Sequence, residues 1–216
     1  IDAERYPRVA VILPIKGVDD DTQANLRALL EQEYPSYRLI FVVESEEDPV
    51  VALLEKLAKE ESRVELGVAG LAENRGQKVH NQLAGVERTT ERDEVLAFMD
   101  ADAKPGPHWV HNLVMPLTYG EHIGATTGYR YYIPVTPHTA NKIVSVLNAM
   151  VGALLGPYRR TFAWGGSMAI RRQDFFGYGL AALWQGALSD DYVLSYCVKN
   201  KAKRKIQFVP QCLVAS

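Results

Sequence analysis

The apolar positions of this chain fall into two patterns that alternate through its first half. Short unbroken runs, Arg8-Val9-Ala10-Val11-Ile12-Leu13-Pro14, Arg38 to Val43, Val64 to Val68 and Val95 to Met99, read as strands buried on both faces. Between them apolar residues recur at helical spacing: Leu26, Leu29 and Leu30 within Thr22 to Glu33, and Val50, Leu53, Leu54 and Leu57 within Pro49 to Glu61. A third helix, opened by the polar loop Glu73 to Lys78, carries Val79, Leu83 and Val86. Asp21 or Thr22 caps the first helix, and Pro107 is expected at the first position of the helix after the fourth strand. Strand, helix, strand at this spacing is a right-handed parallel unit.

Beyond Gly120 the alternation changes, and the second half reads as mixed strands and helices added to the same sheet. Ile123 to Tyr132 predicts a strand that can run antiparallel. Thr139 to Gly156 is helical in period, with Ile143, Val146, Leu147, Met150 and Leu154 in an apolar stripe beside Asn141, Lys142, Ser145 and Asn148. Core packing is the default explanation of that stripe, and an apolar ligand or membrane surface is the alternative. Gly165-Gly166 precede a short strand, a backbone suited either to close ligand approach or to a plain buried turn. Ser189 caps a further helix whose Val193, Tyr196 and Cys197 are expected to face inward.

The chain has 216 residues and a net charge of −2, enough for one α/β domain with a real core and no general attraction to nucleic acid. The basic residues are scattered except for Lys199 to Lys205, which fits a membrane-facing run or a solvated helix end. Two cysteines, Cys197 and Cys212, make neither a disulfide framework nor a zinc spacing, which suits a reducing compartment. No stretch reaches about 18 uninterrupted apolar residues. A start at Ile1 instead of Met suggests a piece of a longer protein, cut at both ends.

Three acidic stations remain to be explained. They are Glu44-Ser45-Glu46-Glu47-Asp48 after the second strand, Asp100-Ala101-Asp102 after the fourth, and Asp190-Asp191 at the start of the late helix. The first two follow parallel strands, so the fold brings them to one rim, where ligands of open α/β sheets bind. In extended backbone Asp100 and Asp102 lie on one side and together suit a divalent cation bearing a diphosphate; the alternative is two solvated acids in a turn. For Asp190 and Asp191 the simpler reading is first-turn acids meeting the helix dipole. No Ser-His-Asp or Cys-His pattern competes, the five His lack zinc spacing, and no phosphate loop of the G-x-x-x-x-G-K-[ST] type is present.

Taken in order, Pro14 to Asp19, Glu44 to Pro49, Lys78-Val79-His80-Asn81-Gln82-Leu83, Asp100-Ala101-Asp102, Gly165-Gly166-Ser167-Met168 and Ser189-Asp190-Asp191-Tyr192 resemble the signatures of ceramide glucosyltransferases and their bacterial relatives. These belong with the lipid-directed family-2 type glycosyltransferases. The resemblance covers nearly the whole chain and implies an α/β GT-A (nucleotide-diphospho-sugar transferase) fold, a mostly parallel sheet with helices on both faces. It implies inverting transfer of a sugar from a nucleotide sugar, usually UDP-linked, to a hydroxyl of a membrane lipid at the cytoplasmic face of a membrane.

By that resemblance Lys16, Glu44, Lys78 and Asp100 line the nucleotide-sugar pocket, Asp100 with Asp102 holds Mn²⁺ or Mg²⁺, and Asp191 is the base. Gly165, Gly166 and Asp190 fall on the acceptor side. Two departures stand out. Many members carry Asp where this chain has Glu44-Ser45, and the family's Q/R-x-x-R-W signature, like its spanning segments, is not among these residues.

Overall fold

The computed structural model describes residues 6–132, 138–156 and 160–215. In chain order the elements are β1 (Val9–Pro14), α1 (Thr22–Leu30), β2 (Tyr37–Val43), α2 (Val51–Glu60), β3 (Val64–Val68), α3 (Gln77–Glu87) and β4 (Val95–Met99). After these come α4 (Trp109–Val114), α5 (Pro116–Tyr119), β5 (Ile123–Tyr131), α6 (Thr139–Gly152), β6 (Ser167–Arg171), α7 (Arg172–Gly177) and α8 (Leu180–Leu183). A 3₁₀ turn at Trp184–Gly186, α9 (Asp190–Tyr196), a π-helical turn at Cys197–Lys201 and β7 (Lys205–Ala215) complete the fold.

The seven strands form one sheet in the order β3-β2-β1-β4-β6-β5-β7. Neighbours among β3, β2, β1 and β4 pair in parallel; β6 is antiparallel to both β4 and β5, and β7 is parallel to β5. Only β6 therefore opposes the rest. Successive strand residues point to opposite faces, and the core divides accordingly. Val9, Val11 and Leu13 of β1, with Leu39 and Phe41 of β2, pack on one face with Leu26, Leu29, Leu54 and Trp109. Ala10 and Ile12, with Ile40 and Val42, pack on the other with Val79, Leu83 and Trp184. Continuous apolar runs were required because both faces are covered. Helix α3 lies so close to the sheet that a Cβ on Gly85 would sit 2.5 Å from Ile12 Cγ2.

Several expectations are corrected. β4 ends at Met99, and Asp100-Ala101-Asp102 is a turn, not a continuation of the strand, with the Ala103 N–H donating to Asp100 O. Pro107 lies two residues before α4, because its carbonyl is occupied by the Glu33 N–H and the helix starts only at Trp109. Neither Asp21 nor Thr22 caps α1 with a side chain; the Thr22 hydroxyl instead accepts the Asp19 N–H and donates to Asp19 Oδ1. Tyr196 faces outward, since the inward phase of α9 and the turn after it is taken by Asp190, Leu194, Ser195, Cys197 and Val198. The stripe on α6 is not core: Ile143, Val146, Leu147, Met150 and Leu154 are all exposed, and of this helix only Asn148 is buried. No helix among the described residues is long and apolar enough to cross a membrane. Both cysteines are unpaired and buried, with Cys212 Sγ donating to Trp109 O.

Candidate functional site

Because β1, β2, β4 and β5 share a direction and β6 opposes them, one rim collects the C-terminal ends of β1 to β5 and the start of β6. The Asp100 turn therefore meets the Gly165-Gly166 approach to β6, and the Asp100 N–H lies 3.4 Å from Gly166 O. From the face of α1, Asn25 Nδ2 donates to Ala101 O at 3.1 Å and fixes the turn between the two carboxylates.

Lys78, in the first turn of α3, is the centre of the cluster. Its Nζ lies 2.6 Å from Asp100 Oδ1 and 3.5 Å from Asp190 Oδ2. Burial draws the Lys78 ammonium down, but Asp100 and then Asp190 outweigh it and hold its pKa above the ordinary lysine value. Asp190 is 5% exposed and also accepts from Gln82 Nε2 at 2.8 Å, one helical turn along α3. Gly165 is what lets this pair close: a Cβ there would come within 2.5 Å of Asp190 Oδ2 and 2.9 Å of Lys78 Nζ.

Asp191, next along α9, looks the other way. The Gly165 N–H donates to its Oδ2 at 3.1 Å, and the Ser189 hydroxyl and Tyr192 N–H donate to its Oδ1 at 2.5 and 2.7 Å. Ser189 is also the cap of α9, as expected, accepting the Tyr192 N–H at 3.2 Å. The Asp191 carboxylate is thus held in one orientation at the edge of a cleft of about 420 Å³, whose other walls include Phe162, Tyr192, Tyr196 and Lys199.

The remaining expected residues form a separate pair. Lys16 Nζ lies 2.9 Å from Glu44 Oε1, and this hydrogen bond, with the attraction behind it, raises the Lys16 pKa. Beside it the Gly17 N–H, at φ +70, donates to the Asp48 carboxylate at 2.9 Å. Gly166 leaves room for the Trp164 ring. The fold brings Lys78, Asp100, Asp190, Asp191 and Gly165 into one connected cluster, with Asp102 two residues along the turn and Lys16–Glu44 at the ends of β1 and β2. Asp190, expected on the acceptor side, is buried against Lys78 and Gln82.

A divalent cation would find hard oxygen ligands at Asp100 and Asp102. Among the described residues no group of three His, Cys, Asp or Glu side chains gathers for a metal. Two carboxylates on a turn suit a cation that takes its other ligands from phosphate oxygens and water, so the donor set fits Mn²⁺ or Mg²⁺ shared with a diphosphate.

Strand order and rim together define the class. The fold is that of the GT-A glycosyltransferases, and solved relatives share it over nearly the whole chain. The mannosyltransferase PcManGT from Pyrobaculum calidifontis, in complex with GDP-Man and Mn²⁺, matches with a TM-score of 0.66 at 19% identity, over 98% of this chain and 57% of its own. GalNAc-T7 with UDP, GalNAc and Mn²⁺ matches with a TM-score of 0.69 at 18% identity, over 99% and 44%. The chain belongs to glycosyl transferase family 21, whose sequence model matches residues 2–215; it is a glycosyltransferase. Among curated proteins, the ceramide glucosyltransferase of Komagataella phaffii is 35% identical over 57 residues, 26% of this chain and 11% of that protein. Ceramide glucosyltransferase 1 of Caenorhabditis elegans is 33% identical over 79 residues, 36% of this chain and 17% of that protein. The matched stretches are thus a small part of those relatives' length.

Proposed function

We propose that this chain is the metal-dependent catalytic domain of an inverting hexosyltransferase that moves a sugar from a UDP-linked donor to the hydroxyl of a membrane lipid, at the cytoplasmic face of the membrane. The observation that carries this reading is the division of labour between two adjacent carboxylates: Asp190 is buried as a partner of Lys78, while Asp191 is held open on the neighbouring cleft. In an in-line displacement the acceptor oxygen forms a bond to the anomeric carbon as the bond to the diphosphate breaks, which inverts the centre. Asp191 takes the proton of the attacking hydroxyl. Lys78 offsets the charge that grows on the leaving diphosphate, in a site where Asp190 keeps the ammonium in place. Asp100 and Asp102 would hold the divalent cation, which supplies Lewis-acid stabilisation of the same diphosphate. Lys16 and Glu44 line the nucleotide side of the rim.

Two features support a lipid acceptor over a saccharide or polyprenyl phosphate. The cleft at Asp191 is walled by Phe162, Tyr192 and Tyr196; Phe162 packs on Tyr129, which α6 meets through Asn148, and α6 itself carries an exposed apolar face. Two curated proteins that the chain resembles over part of its length are named ceramide glucosyltransferases.

Calorimetric titration with UDP-sugar, with and without Mn²⁺, tests the donor side. Binding is expected to depend on the metal in the wild type and to lose that dependence in Asp102→Ala. Affinity indifferent to both the metal and the substitution rules the metal role out.

A further inference from the structure

One cation at the acidic turn belongs to none of the motifs. β5 runs in the same direction as β4, so its last residues reach the same rim, and there Arg130 Nη1 lies 3.8 Å from Asp102 Oδ2. The guanidinium rests on two aromatic faces, 4.7 Å from the Tyr132 ring centre and 5.6 Å from that of Trp164. Trp164 is itself held, its backbone N–H donating to Thr127 Oγ1 at 2.9 Å and its ring filling the space beside Gly166.

Comparison with Lys78 shows what is unusual. Lys78 is in short contact with Asp100 and backed by a buried carboxylate. Arg130 makes a longer contact to a carboxylate whose side chain is 57% exposed. Such an exposed pair contributes little, whereas stacking on Tyr132 and Trp164 holds the guanidinium whether or not Asp102 is its partner. Arg130 can therefore leave Asp102 at small cost without leaving the rim. A guanidinium and a divalent cation compete for one carboxylate, and the planar fork of Arg matches phosphate oxygens in pairs.

We propose that Arg130 is a diphosphate-binding residue that neutralises Asp102 in the unloaded chain and passes to the donor's diphosphate when the divalent cation takes that carboxylate. This role stands on the donor and metal reading above. It makes Arg130 act in opposite directions on two ligands: it opposes the metal alone and assists the nucleotide in the metal's presence.

The test measures Mn²⁺ binding alone by electron paramagnetic resonance, and UDP binding at saturating Mn²⁺ by calorimetry, in wild type, Arg130→Gln and Arg130→Lys. Arg130→Gln is expected to bind Mn²⁺ alone more tightly than wild type yet bind UDP about tenfold more weakly, the loss of one charge-assisted contact. Arg130→Lys, which keeps the charge and loses the fork, is expected to restore competition with Mn²⁺ and only part of the UDP affinity. Equal or weaker Mn²⁺ binding in Arg130→Gln overturns the proposal, as does unchanged UDP affinity. A fall in both affinities together with the melting temperature marks a merely structural residue and also overturns it. Wild type that binds UDP indifferently to Mn²⁺ overturns the donor reading and this role with it; wild type that binds normally beside an unaltered Arg130→Gln overturns this role alone.

Discussion

Asp190 and Asp191 are chemically identical neighbours given different surroundings by one turn of backbone. Ser189 caps the helix, Asp190 falls on its buried side toward Lys78, and Asp191 falls on the side where Gly165 offers an N–H instead of a side chain. In the full-length protein, Asp191→Asn should lower transfer by at least about a hundredfold, the contribution expected of a positioned base. UDP affinity should be nearly unchanged, because the hydrogen bonds of Asp191 go to Gly165, Ser189 and Tyr192 and not to the donor-side residues. Retained turnover would remove it as the base. The acidic stations and Lys78 were legible in the sequence because each follows an apolar run or opens a helix. Arg130, Gln82 and Asn25 were not, since their approach to the site depends on which strands become neighbours and on helix phase, neither of which local spacing encodes. The extended D-x-D expectation failed for a related reason: β4 pairs with β6 only as far as Met99–Ser167, and beyond it the chain must turn.

Helix α6 is the element whose sequence pattern was clear and whose surroundings were not. A 3.6-residue period shows that Ile143, Val146, Leu147, Met150 and Leu154 share a face but not what that face meets. Val144 and Val151 widen the exposed apolar surface further, beyond what scattered surface hydrophobics require. As part of the proposed membrane attachment, Leu147→Ser with Met150→Ser should weaken co-sedimentation with phospholipid vesicles by roughly tenfold or more per side chain, given about 1.5–3 kcal/mol for burying each. UDP binding should be retained, and vesicle binding equal to wild type would exclude α6 as the contact. The strands β1, β2 and β4 were readable because burial on both faces leaves no polar position within them. β7 was missed, as it opens on Lys205, interrupts its apolar positions with Gln207 and Gln211, and carries Pro210, which argues against a strand unless it lies at a sheet edge.

For the whole molecule, one buried ionic network lies at the end of the sheet away from the site. There Arg38 donates to both oxygens of the buried Asp93 at 3.1 and 2.9 Å, to Glu65 at 2.8 Å, and to the Arg88 carbonyl. Burial pushes the Asp93 carboxyl up, but Arg38 and the Thr90 N–H outweigh it and hold its pKa below the ordinary 3.8. A depressed carboxyl contributes stability that is present above its unfolded value and lost as pH falls through the folded one. The melting temperature should therefore fall below about pH 4, and Asp93→Asn should flatten that dependence while costing about 3 kcal/mol at neutral pH by leaving Arg38 short of its partner. A melting curve of Asp93→Asn with the wild-type acid slope would contradict this. The thiols are drawn inside: Cys197 and Cys212 are both buried, and burial raises both their pKa values. The folded surface consequently offers no reactive sulfur, so one cysteine introduced on the outer face of α6 could carry a fluorophore or spin label as the sole reporter of its surroundings, without altering the native chain elsewhere.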